Sequence, residues 1–110
     1  MQLLVVLLHS EELLDEVLSI LVEHELPDAV VVESRTGLEL LERDLPIFAG
    51  LRSLIPGGID FSRLLLCLLS RDGQGAEVLR AITTLGERTT AIDEPTNTAF
   101  LVPVDDLQLF

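Results

Sequence analysis

Two unbroken apolar runs of six residues, Leu3-Leu-Val-Val-Leu-Leu8 and Leu64-Leu-Leu-Cys-Leu-Leu69, decide the fold of this 110-residue chain. Each run has the length of a β-strand and is far shorter than the ~20 apolar residues that a membrane-spanning helix needs. We therefore predict two buried strands and no membrane insertion.

The first run is followed by the pattern of a helix and then of a second strand. Ser10 is a good N-cap, and the two glutamates after it suit the positive end of the helix dipole. Apolar residues then recur at helical spacing up to Pro27, which keeps the residue before it out of the helical region. The three valines of Ala29–Glu33 predict the second strand.

The second run lies in a predicted third strand, Phe61–Leu69, and a helix and a strand follow it as well. The helix is predicted over Ala76–Leu85, with Gly86 as its C-terminal stop. The last strand is predicted over Thr98–Val104. Because Pro103 cannot donate to a sheet ladder, we expect this strand at the edge of the sheet.

The order strand–helix–strand, long connection, strand–helix–strand is typical of the α+β ferredoxin-like fold, βαββαβ. This fold is a four-stranded antiparallel sheet with both helices on one face. We predict a single such domain over residues 1–110, with strands one and three in the centre and a long loop, 35–58, between strands two and three. Nine large apolar residues in that loop argue against disorder, so we expect short helical turns at 38–43 and 49–54.

The six-residue runs of the central strands are apolar at every position, whereas a sheet with one face in water should alternate apolar and polar residues. About six large side chains would lie on the face away from the helices. Burying them is worth on the order of 10 kcal/mol, which is comparable with the whole stability of a small domain. Either the long loop or other subunits must cover this face, and we predict a homo-oligomer.

The charge and the cysteine content limit the kinds of partner molecule and the cellular compartment that fit this chain. The net charge is −12, so we expect no nucleic-acid partner. All seven basic residues are arginines, which recognise anions in a bidentate manner. The lone Cys67 lies inside an apolar run and predicts a core thiol, and the chain carries no signal-peptide pattern, so we predict a cytoplasmic protein.

The predicted topology brings three segments to one end of the sheet: the end of strand one at His9, both feet of the long loop, and the loop before strand four. Arginines and exposed glycine backbone there suit an anion. Equally, the arginines could be solvated partners of the surplus carboxylates and the glycines simple turns. The candidate ligand-binding residues are Arg35, Thr36, Gly37, Gly58 and Arg88.

No pattern in the sequence predicts catalysis or a metal site. His9 and His24 lie at opposite ends of the first helix, about 20 Å apart, so one subunit cannot use both on one metal. No nucleophile–base constellation is visible, and we predict that the protein is not an enzyme, with no catalytic residue and no metal.

The element order, the long insertion and the ending Phe100-Leu-Val-Pro-Val-Asp-Asp-Leu107 resemble the PII-like signalling family, relatives of the nitrogen-regulatory PII proteins. The resemblance implies a homotrimeric regulator that binds a small anionic ligand, often an adenine nucleotide, in clefts between subunits. It also implies that loop 35–58 contacts a partner protein.

The chain departs from the nitrogen-regulatory PII proteins at two points: it has no tyrosine, and its segment 86–97, before strand four, has one glycine and no lysine. We therefore interpret it as a divergent relative of the nitrogen-sensing branch. The alternative function is a ligand-free interaction module that docks through the apolar loop 38–55.

Overall fold

The computed structural model describes residues 1–35, 37, 40, 62–89 and 97–110. Within these residues the elements follow the predicted βαββαβ order of the α+β ferredoxin-like fold. The turns expected at 38–43 and 49–54 lie outside the described residues, apart from Leu40. The elements are β1 (Gln2–Leu8), α1 (Glu11–Glu23), β2 (Val30–Glu33), β3 (Arg63–Leu69), α2 (Gln74–Thr89) and β4 (Thr98–Pro103).

The four strands form one antiparallel sheet in the order β2-β3-β1-β4. The two apolar runs are therefore the central pair, as predicted. They pair along their whole length, from Gln2 opposite Leu69 to Leu8 opposite Arg63. Strand β4 lies at an edge, in agreement with the position of Pro103.

The core lies between one face of this sheet and the two helices. Alternate residues of β1 and β3 are buried because successive side chains in a strand point to opposite faces. Both helices cover the same face, so the core is a single layer. Its buried members are Leu4, Val6, Leu8, Val17, Leu21, Leu65, Cys67, Leu69, Val78, Ile82 and Leu85.

Helix α1 is capped at both ends by the local sequence. The Ser10 hydroxyl accepts a hydrogen bond from the Leu13 N–H, at 3.4 Å, as the N-cap prediction requires. At the other end the N–H groups of Glu25 and Leu26 return to carbonyls of the last turn, which is a Schellman motif. The helix therefore ends at Glu23, before Pro27 is reached.

Helix α2 is longer than predicted, and the expected stop at Gly86 is wrong. The helix begins at Gln74, directly after Gly73 with φ of 80°, and continues through Gly86 to Thr89. A glycine ends a helix when it adopts positive φ, and Gly73 is the described glycine that does so. Neither helix in the described ranges has the length and apolarity needed to cross a membrane.

Candidate functional site

The sheet face opposite the helices is almost entirely apolar. Val5, at its centre, lies between Leu66 on β3 and Phe100 on β4. The edge strands add apolar residues that are 37–56% exposed, and Thr98 is the polar exception. In the ranges that the structure describes, no helix packs on this surface. We call it the open face: Leu3, Val5, Leu7, Val30, Val32, Leu64, Leu66, Leu68, Phe100 and Val102.

Polar groups meet at one end of the sheet. The His9 N–H donates to Asn97 Oδ1 at 2.9 Å, which ties the end of β1 to the residue before β4. The Ser34 N–H donates to the Ser62 carbonyl at 3.1 Å, which joins the two feet of the long connection. The predicted convergence of these segments is therefore confirmed where the structure describes them.

A pair of serine hydroxyls marks the two feet of the connection. Ser34 Oγ and Ser62 Oγ lie 2.8 Å apart, and the Ser62 residue is only 5% exposed. Because one hydroxyl donates its proton to the other, the accepting hydroxyl can still donate its own proton to a third group. The sequence analysis missed this pair because serines at strand ends usually act only as turn residues.

Arg63 is a second feature that the sequence analysis missed. Arg63 begins β3 and pairs in register with Leu8 on β1 and with Glu33 on β2. Residues of opposite charge therefore stand at paired positions on the neighbouring strands β3 and β2. One guanidinium nitrogen also donates to the Ser62 carbonyl at 2.9 Å. In the sequence, the two polar residues Ser62-Arg63, directly before the second apolar run, could have indicated this feature.

The predicted ligand-binding residues fall on different parts of this end. Arg35 lies two residues beyond the end of β2, and both Arg35 and Gly37 are exposed. Arg88 is exposed in the last turn of α2. Thr36 and Gly58 lie outside the described residues. Arg35 therefore belongs to the β2 edge, whereas α2 ends beside Asn97 and Thr98 at the β4 edge.

Within one chain the two edges lie on opposite sides of the sheet. Three strand spacings of about 4.8 Å separate β2 from β4, so Arg35 and Asn97 are roughly 14 Å apart across the sheet. A second copy of the chain, packed at this end of the sheet, would bring one copy's β2 edge next to the other copy's β4 edge.

A polar cavity of about 350 Å³ lies at the opposite end of the sheet, between the end of α1 and the start of α2. The side chains of Arg71 and Gln74 donate to the His24 carbonyl at 3.5 and 3.4 Å. These bonds satisfy the C-terminal backbone of α1, which is a structural role. No group of three metal-ligating side chains occurs in the described part of the chain.

Cys67 is a core residue, as predicted. It is 5% exposed and belongs to the core cluster between β3 and the helices. Burial, with a smaller contribution from the Asp28 charge, raises the pKa of its thiol above the ordinary value of 9.0. The neutral thiol is therefore favoured, which is the reverse of what a nucleophile requires.

No family model matches the chain, and no curated protein matches it significantly.

Proposed function

We propose that the protein is a PII-like regulator, a homotrimer that binds a small anionic ligand between its subunits. The ligand class is an adenine nucleotide, and loop 35–58 contacts a partner protein. The observation that carries the proposal is the open face, whose ten apolar residues suit an interface between subunits.

Covering the open face by other copies has a large energetic benefit. A large apolar side chain contributes about 1.5–3 kcal/mol on complete burial. Five of the open-face residues are 37–56% exposed, and the other five are half-buried. Burying the exposed part of these ten residues gives roughly 5–10 kcal/mol, which is similar to the stability of a whole small domain. A second copy of the chain presents the same apolar residues, so each copy can bury the open face of the other.

Assembly through this face also supports a shared ligand site. The end of the sheet that carries Ser34, Ser62 and Arg35 is an end of the open face itself, because Ser34 and Ser62 continue its rows. A neighbouring copy packed there adds its own edge, with Asn97 and the end of α2. Two edges that are far apart in one chain then line one cleft.

Calorimetry with a panel of adenine and guanine nucleotides tests the ligand claim. We expect saturable binding of an adenine nucleotide, weakened at least ~10-fold by Arg35→Ala, because a charge-assisted hydrogen bond contributes about 1.5–3 kcal/mol. Arg80→Ala removes an exposed arginine of α2 and is the matched control.

Absence of binding to every nucleotide, or equal binding by Arg35→Ala, would contradict the ligand claim. In that case a trimer that still captures its partner would be the ligand-free interaction module. Deleting residues 38–55 should then abolish partner capture and leave the oligomer intact.

A further inference from the structure

A second cavity, of about 290 Å³, opens on the helix side of the sheet, away from the open face. It lies between the last turns of α2 and the adjoining ends of β1 and β4, with Asn97 at its rim. Its lining is mainly apolar, and Glu87 is its one charged member in the described residues. The apolar lining consists of Val6, Leu8, Leu13, Ile82, Gly86 and Ala99.

Gly86 is an unfavourable residue type for its position inside α2. A glycine inside a helix lowers stability by about 1 kcal/mol relative to alanine. Three usual reasons for such a glycine are absent here. Its φ is not positive, it does not end α2, and a Cβ at this position would meet no atom of the described residues within 4 Å. Gly86 lies one turn beyond Ile82 on the same helix face, and both residues line the cavity.

Gly86 lines the cavity, so a larger residue at this position would take up part of its space. Natural sequences break local rules mainly at functional sites. The volume is also suitable, since a dry apolar cavity of about 150 Å³ is known to accept benzene.

We propose that this cavity binds an uncharged, mainly apolar small molecule about the size of a bicyclic aromatic. The carboxylate of Glu87 disfavours anions of the same size. The Asn97 carboxamide, whose oxygen already accepts from His9, retains N–H donors for one polar atom of the ligand. This site shares Asn97 and the end of α2 with the proposed anion cleft, but it lies on the helix side of the sheet, and its test does not depend on that cleft.

NMR titration of methyl-labelled protein with 2-naphthol tests the proposal, with 2-naphthoate as the charged probe of matched shape. We expect saturable shifts of the Leu8, Leu13 and Ile82 methyl groups with 2-naphthol, and binding at least ~10-fold weaker with 2-naphthoate. No saturable shift at these methyl groups, shifts confined to the open face, or equal binding of the two probes would overturn the proposal.

Filling the cavity provides the second arm of the test. Gly86→Leu should weaken 2-naphthol binding at least ~10-fold, whereas Thr84→Leu, an exposed position on the same helix, should leave it unchanged. If Gly86→Leu does not fold, Ala99→Leu fills the same space from β4 and should have the same effect. Unchanged binding in a folded filling variant would overturn the proposal.

Discussion

Glu25 is the one described non-glycine residue with positive φ, at 62°. It occupies the left-handed position of the Schellman motif that ends α1, where glycine is preferred. An L-residue in this conformation is disfavoured by about 1–2 kcal/mol, whereas glycine adopts it freely. The Glu25–Arg71 ion pair, at 3.6 Å between two exposed side chains, offsets little of this strain.

Glu25→Gly should therefore raise the free energy of unfolding by about 0.5–1 kcal/mol, measured by urea denaturation at fixed protein concentration. Glu23→Gly, within the last turn of α1, is the control and should lower it by about 1 kcal/mol. A destabilised Glu25→Gly variant would contradict the strain argument.

Cys67 makes stability depend on pH in the alkaline range. Its pKa is raised in the folded protein, so the unfolded chain loses the thiol proton first as pH rises. The stabilising effect of the neutral thiol is complete below pH 9 and is lost as pH rises above that value. Cys67→Val should remove the part of the alkaline loss of stability that comes from this thiol. Urea denaturation between pH 7 and pH 10 measures the free energy of unfolding of both proteins. An identical pH profile in the variant would contradict the assignment.

At the residue scale, the candidate site could be predicted only in part. The topology alone brought His9, Arg35 and Asn97 to one end of the sheet, because loops at strand ends follow from element order. The Ser34–Ser62 hydroxyl pair could not be predicted, since it depends on the register of β2 against β3. Register is set by long-range pairing, which a single sequence does not encode locally.

At the scale of elements, α2 shows where local rules fail. Gly86 was a reasonable helix stop by its residue type, but the helix continues and keeps Val78, Ile82 and Leu85 against the sheet. A glycine stops a helix where it adopts positive φ, and Gly86 does not adopt it, so its residue type alone did not decide the end of the helix. The strand boundaries, which follow from unbroken apolar runs, agree with prediction to within two residues.

The first turn of α2 approaches the sheet closely at Gly75, which is buried. A Cβ at this position would overlap the side-chain amide of Gln2 on β1 and lie 3.1 Å from Leu101 Cδ1 on β4. The Gln2 amide is the flexible end of a side chain, so the clash is relieved by moving or removing it. The absence of a side chain at Gly75 thus leaves room for the Gln2 and Leu101 side chains beneath this helix.

Gly75→Ala should lower the free energy of unfolding by about 1 kcal/mol, since overpacking typically has an effect of 1–3 kcal/mol. In a Gln2→Ala background the same substitution should have a markedly smaller effect, because the main clash is gone. Thermal or urea unfolding of the four proteins in this double-mutant cycle measures the coupling. Full additivity would contradict the close approach.

At the scale of the whole molecule, the two-sided apolar character of β1 and β3 is visible in the sequence, and the structure extends it to the edges. Val30 and Val32 on β2, with Phe100 and Val102 on β4, lie on the same face as the centre. The sequence analysis placed about six residues there, because sidedness at an edge strand depends on register. The larger surface strengthens the argument for an interface.

Sedimentation equilibrium at micromolar concentration tests the central claim, that copies of this chain bury the open face against one another. The wild-type protein should sediment at three times the chain mass of 12.1 kDa. Val5→Glu, at the centre of the open face, should dissociate it, whereas Val22→Glu, at a 62% exposed position on α1, should leave it intact. A well-folded wild-type protein that sediments as a single chain would contradict the claim.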